Sequence, residues 1–304
     1  MNRFFGPRLV LTAAACAGLL VAQPVDAQRE QRERSILVGA VGAKDAPVAD
    51  LTTKDFSVRE NGATREVVRV QAAPPPTHIV LLIDDSAATQ LALPFVRDSL
   101  PKFVARMADM SPAPQIGLWS FGERPTKRVD VAPNPSAVLD GIKKLFTIQG
   151  AGGYLLQGVI EVTDDLRKKK VGTEGFSSPI IVTFVAEGGV EYSSHQRSQI
   201  IAALKNTGTS LWSVTLQQGT QPMNTTESRE RAAVLGDVTA DSGGMNKVIL
   251  TPQAIDGAFS TVASIISSRY LVTYVRPDAL VPPDKLEVTT SRKDVKLFSS
   301  KWTR

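Results

Sequence analysis

The chain has 304 residues, 42% of them hydrophobic and 21% charged, with a formal net charge of +5. That balance is ordinary for a globular protein and long enough for one large core and a smaller second one, which excludes a disordered or fibrous chain. Lys and Arg cluster only at residues 167–170 (RKKK), which read as the solvated end of a helix and give no footprint for nucleic acid.

At the N-terminus, Arg3 and Arg8 flank the start of an apolar run (residues 9–22), and Val25-Asp26-Ala27 offers a small-residue cleavage site. This is the pattern of a secretory signal peptide spanning residues 1–27, and the run is short for a membrane span. Cys16, the only cysteine, lies inside it, so disulfides and thiol catalysis are excluded from the mature chain. No later segment reaches transmembrane length. The expectation is a bacterial protein that is secreted or periplasmic, with no membrane insertion after cleavage.

Residues 28–34 read as a charged, disordered leader. An N-terminal β segment follows at 35–73, with a strand at 35–42. Phe56/Val58 and Val68/Val70 alternate with polar residues around Asn61-Gly62, a strong hairpin signal. Pro74, Pro75 and Pro76 form a stiff spacer. From 77 to 268 strands and helices alternate. Residues 78–84 (HIVLLID) read as a strand buried on both faces, followed by a helix at 94–108, a strand at 115–122 and an edge strand at 125–132. Helices at 135–146 and 154–168 precede a buried strand at 180–187, a helix at 194–206, a buried strand at 209–217 and a helix at 227–241. A short strand at 246–250 and a helix at 252–268 complete the alternation. Residues 269–304 are β again and pair with 35–73 in one small domain. The fold class is therefore α/β: a doubly wound, mostly parallel sheet with helices on both faces, plus a small β domain made by the N- and C-terminal strands.

The first buried strand ends in Asp84, Asp85 and Ser86. Oxygen ligands at the carboxyl end of a central strand suit a hard cation. The string resembles the metal-binding loop of a von Willebrand factor type A domain, Asp-x-Ser-x-Ser, with Asp84 and Ser86 matching and Ala88 in place of the last Ser. Leu51-Thr52, Asp55-Phe56, Glu60-Asn61-Gly62, Leu235, Ser242-Gly243-Gly244 and Tyr270-Leu271-Val272-Thr273-Tyr274 resemble segments of bacterial exported von Willebrand factor A-related proteins. The resemblance implies a metal site shared by three loops. In this chain Tyr154 stands where the second loop would supply Thr, and Glu187 where the third would supply Asp. The metal candidates are thus Asp84, Ser86 and Glu187, with Asp85 nearby, in a degenerate site holding no cofactor or a weakly bound Mg²⁺ or other divalent cation. The bland role for Asp84 is to cap the following turn through backbone N–H groups.

His78 lies at the far edge from this loop, and His195 reads as a surface or capping residue. Gly150–Gly153 has neither nucleotide-loop spacing nor a Walker Lys. Trp119 and Trp212 read as core, and Trp302 as part of the small β domain. No residues are set out for catalysis. The expected function is a non-enzymatic module that binds another protein. The alternatives are Mg²⁺-dependent adhesion-type binding, a structural envelope component, or an α/β enzyme.

Overall fold

The computed structural model describes residues 1, 33–171, 178–217, 225–276 and 283–302. The signal-peptide and leader expectations fall on 1–34 and, apart from Met1 and the end of the leader, lie outside the described residues. There, Glu33 and Arg34 already belong to strand β1 (Glu33–Val41) because the chain pairs with a C-terminal strand from Glu33 onward.

The central sheet has six strands. Running across it are β10 (Asn246–Ile249), β9 (Ser210–Leu216), β8 (Ile180–Ala186), β5 (His78–Ile83), β6 (Gln115–Ser120) and β7 (Thr126–Ala132). All neighbours are parallel except β7, which is antiparallel to β6 and forms the edge. Side chains alternate across the sheet, so each strand feeds two cores. Ile79, Leu81 and Ile83 point to one side, under helices α1 (Leu93–Ala108), α2 (Ser136–Lys143) and α6 (Ile255–Ser267). Val80 and Leu82 point to the other, under α3 (Leu155–Lys168), α4 (Arg197–Thr207) and the segment that follows α5 (Thr226–Ala233). The helix expected at 227–241 runs over 226–241, with a π-helical stretch at Val234–Val238 inside it.

The second lobe is made by both ends of the chain. One antiparallel sheet has the order β13 (Lys296–Ser299), β1, β11 (Tyr270–Val275) and β4 (Val67–Ala72). The other has β12 (Leu286–Thr290), β2 (Phe56–Glu60) and β3 (Ala63–Arg65). Between them lie Ile36, Val38, Phe56, Val58, Val272 and Tyr274, with the Phe56 and Tyr270 rings edge-on at 5.8 Å. Asn61 and Gly62 do turn with positive φ, 47° and 84°. The returning strand stops at Arg65, however, and β4 crosses to the other sheet to pair with β11. Trp302 also departs from expectation. It packs against the apolar layer beneath α3 and α4, with Lys205 over its ring at 5.5 Å.

Candidate functional site

Asp84, Asp85 and Ser86 leave β5 at its carboxyl end and are all buried. Asp84 is held on both sides. Its Oδ1 accepts the Ser86 N–H at 2.9 Å, and its Oδ2 accepts the Ala186 N–H at the end of β8 at 3.1 Å. Burial pushes its carboxyl above the ordinary range, opposed by the nearby Ser86 side chain, by these hydrogen bonds and by the charge of Arg231. Asp84 thus makes the local turn bond and also ties two strand ends together.

Asp85 turns the other way. Its Oδ1 accepts the Gly122 N–H at 2.6 Å, and its Oδ2 is ion-paired with Arg128 of β7 at 2.9 Å. A Cβ at Gly122 would lie 2.7 Å from the Asp85 backbone, so the approach depends on glycine. Asp85, the carboxylate nearest Asp84 in sequence, is thus committed to Arg128 and Gly122. Ser86 is the exception, because its Oγ is fully buried, near the Asp84 carboxyl, and has no partner in hydrogen-bonding geometry among the described residues.

The second loop is laced to the other two. Ala87 N–H donates to Ala151 O at 3.3 Å, Gly153 N–H to Val190 O at 2.6 Å and Tyr192 N–H to Gly153 O at 2.8 Å. The Tyr154 ring is half-buried, packs against the apolar layer beneath α3 and lies 5.7 Å from the Tyr192 ring. In the third loop the half-buried Glu187 is anchored by its backbone. Its N–H donates to Leu216 O at 2.9 Å, and its carbonyl accepts Arg231 Nη2 at 2.7 Å. Arg231 Nη1 donates to Gly189 O, also at 2.7 Å.

Two residues that sequence reasoning missed organise this face. Arg231 is 4% exposed and lies on the inward stripe of its helical segment with Ser228, Val234 and Val238. That helical spacing was the available signal: an arginine on an apolar stripe needs buried acceptors. Glu191 is 2% exposed. Its Oε2 accepts the Leu155 N–H at 3.3 Å, at the N-terminus of α3, and its Oε1 accepts the Ser193 N–H at 3.2 Å. A carboxylate there satisfies donors that the first helical turn leaves open. Burial raises its proton affinity, and Arg231 opposes the shift. Nothing in the sequence around Glu191 announces this role, which depends on the third loop folding back over the second.

An ion such as Mg²⁺ asks for near-octahedral oxygen ligation. Asp84 has both oxygens engaged by backbone N–H groups, Asp85 is ion-paired, and Ala88 and Tyr154 bring no short hydroxyl. Among the described residues no group of three or more His, Cys, Asp or Glu side chains is placed to hold a metal. The donors do not fit the ion, and a fixed cation, Arg231, stands among the loops. Nor is there a catalytic grouping around the histidines. His78 opens β5 at the opposite end, where burial lowers its proton affinity, and His195 is half-buried, 3.3 Å from Gln199 Oε1 at the start of α4.

The rim of this end carries large exposed apolar side chains. Leu91 and Phe95 flank the start of α1, Phe146 precedes the segment that Ile148 ties to Asp85 O at 2.9 Å, and Tyr192 stands on the third loop.

No family model matches the chain, and no curated protein matches it in sequence. Solved structures do resemble it. Proximal thread matrix protein 1 from the mussel byssus aligns at 13% identity and a TM-score of 0.50, over 64% of this chain and 49% of that one. The pilus adhesin SpaC from Lactobacillus rhamnosus GG aligns at 11% identity and 0.49, over 85% and 47%. The vWF domain of the type V pili tip protein Mfa5 from Porphyromonas gingivalis aligns at 12% identity and 0.48, over 64% and 96%. The chain thus spans about half the length of the first two proteins. At these identities the likeness is one of fold.

Proposed function

Starting from a von Willebrand factor A fold whose strand-end loops are tied by their own bonds, we propose that this chain is an exported, non-enzymatic module that binds another protein through that face without a divalent cation. The observation that carries this reading is the position of Arg231, buried and bonded to two carbonyls of the third loop. A guanidinium there does the organising work that an ion would do, and its charge offsets the buried carboxyls of Asp84 and Glu191. The exposed Leu91, Phe95, Phe146 and Tyr192 supply apolar contact area of the kind that interface centres use. Export rests on the signal-like segment at residues 1–27.

One observation favours a second reading, in which Asp84, Ser86 and Glu187 take a weakly held cation that helps receive a partner's carboxylate. The buried Ser86 hydroxyl has no partner, and an ion would give it one.

The two readings separate in a capture experiment on the source organism's envelope and culture-medium fractions. The immobilised chain is compared with a Phe146→Asp/Tyr192→Asp variant, each with EDTA and with Mg²⁺. The proposal expects a partner that is retained in EDTA and lost by the variant. Capture that requires Mg²⁺, or that ignores the variant, contradicts it.

A further inference from the structure

At the amino ends of the parallel strands, opposite the face described above, a cavity of about 330 Å³ opens between the two lobes. Its α/β wall comes from Ser178, which precedes β8, from Thr209 and Ser210 at the start of β9, and from Ser242-Gly243 ahead of β10. Its β wall comes from β1, Tyr274 and Leu286. The volume lies at the lower end of the range for small-ligand sites.

The geometry of β1 says what kind of ligand fits. All five residues from Glu33 to Leu37 line the cavity. Successive side chains of a strand point to opposite faces, so a run of five lining residues means that the strand presents its edge. On its other side this part of β1 pairs with β11. The neighbour β13 pairs only with Val38–Val41, then leaves at Ser300 to bridge Ser242, while Lys301 N–H donates to Asp241 O at 2.9 Å. The divergence of β13 from β1 creates the opening. Among the described residues no strand pairs with Glu33–Leu37 on the cavity side. A strand edge of this kind is a template for an added strand.

Charge selects among extended ligands. Arg34, Lys205, Arg269 and Arg276 line the cavity, against two carboxylates, Glu33 and Glu60. Glu33 is bonded to Arg69 at 2.9 Å. Glu60 accepts Arg65 at 2.9 Å and the Tyr274 hydroxyl at 2.9 Å, with Arg276 at 3.5 Å. The described walls thus bring four cationic side chains and two carboxylates together, and two of the cations are guanidinium forks suited to a carboxylate and held at low exposure: Arg269, 6% exposed and donating to Ile266 O at 3.3 Å, and Arg276, whose side chain is 13% exposed. Leu204, Leu286 and Trp302 add apolar wall.

We propose that this cleft binds a short extended peptide with a free C-terminal carboxylate, which adds as a strand to the β1 edge while the carboxylate sits among the four cationic side chains. The site is independent of the strand-end face and does not rest on its proposed function.

Calorimetry on the full chain tests it with N-acetyl-Val-Thr-Val as the free acid, as the C-terminal amide, and as an acid N-methylated at every peptide nitrogen. Inorganic phosphate serves as a bare anion. The acid is expected to bind at least about tenfold more tightly than the amide, a difference of about 1.4 kcal/mol. N-methylation, which removes the strand donors, is expected to weaken the acid by a similar factor. Arg34→Gln and Lys205→Ala, both at exposed positions, are expected to erase the acid-over-amide preference without affecting folding. Absence of acid binding at about 1 mM, equal binding of acid and amide, or indifference to N-methylation each overturns the proposal. So does phosphate binding as tightly as the peptide acid, which would make the cleft a simple anion site.

Discussion

The two ends of the parallel sheet use charge in opposite ways. At the carboxyl ends, buried carboxylates are consumed by the protein itself: Asp84 by two backbone N–H groups, Asp85 by Arg128 and Gly122, and Glu191 by the first turn of α3. At the amino ends, cationic side chains and a strand edge that pairs with no other strand among the described residues line a cavity between the lobes. A parallel sheet ordinarily presents its ligand site at the carboxyl ends. In this chain the carboxylates at that end are engaged by the protein's own bonds, beside an exposed apolar rim. The contrast shows that a strand-end carboxylate is informative only together with what already holds it.

The comparison breaks most readily at Arg231. Arg231→Met removes both bonds to the third loop and the charge that offsets Asp84 and Glu191, and is expected to cost about 3–5 kcal/mol, the range for stripping one partner from a buried charge. Denaturant unfolding monitored by tryptophan fluorescence measures it. A loss of under about 1 kcal/mol would mean that the loops do not depend on this cation.

Next in size is the contrast between neighbours in one loop. Asp84→Ala leaves the Ser86 and Ala186 N–H groups buried without acceptors, at an expected cost of about 2–4 kcal/mol. Ser86→Ala removes a hydroxyl outside hydrogen-bonding geometry and is expected to change stability by less than about 1 kcal/mol. The same unfolding experiment reads both. Equal losses would remove the distinction between a committed and an orphaned oxygen.

The smallest effect is a pH dependence at Glu191. Its raised proton affinity means that the folded state holds more protons than the unfolded one just above the ordinary carboxylate range. Its contribution to stability therefore grows as pH falls into that window and shrinks as pH rises through the folded value. Glu191→Gln, which removes the titration, is expected to lose more stability relative to the parent at mildly acid pH than at neutral pH. Asp84, raised by burial in the same way, shares this sign.

Much of the architecture was legible because it follows from local patterns. Ile79 to Ile83 could only be a strand covered on both faces, and the polar alternation of residues 126–132 marked an edge. Asn61-Gly62 made its turn, but the partner strand was misjudged, because β4 is claimed by β11, a strand about 200 residues away whose pairing no local pattern reports. Trp302 was misplaced for the same reason. In the site, Asp84, Ser86 and Glu187 were legible as residue types at strand ends. Their partners were not. Arg128 reaches Asp85 across a β-ladder, Arg231 arrives from a helix after β9, and Glu191 caps a helix that begins 36 residues earlier. Long-range hydrogen bonds decide whether a carboxylate is a ligand or a brace, and sequence spacing does not carry them.

The central claim, that the strand-end face is organised by internal bonds with no need of a divalent ion, is tested most directly by titrating the chelator-treated full chain with Mg²⁺ and Mn²⁺ in a calorimeter. The account predicts no binding tighter than the millimolar range, and the same unfolding midpoint in EDTA as in Mg²⁺. Micromolar binding that disappears in Ser86→Ala would contradict it.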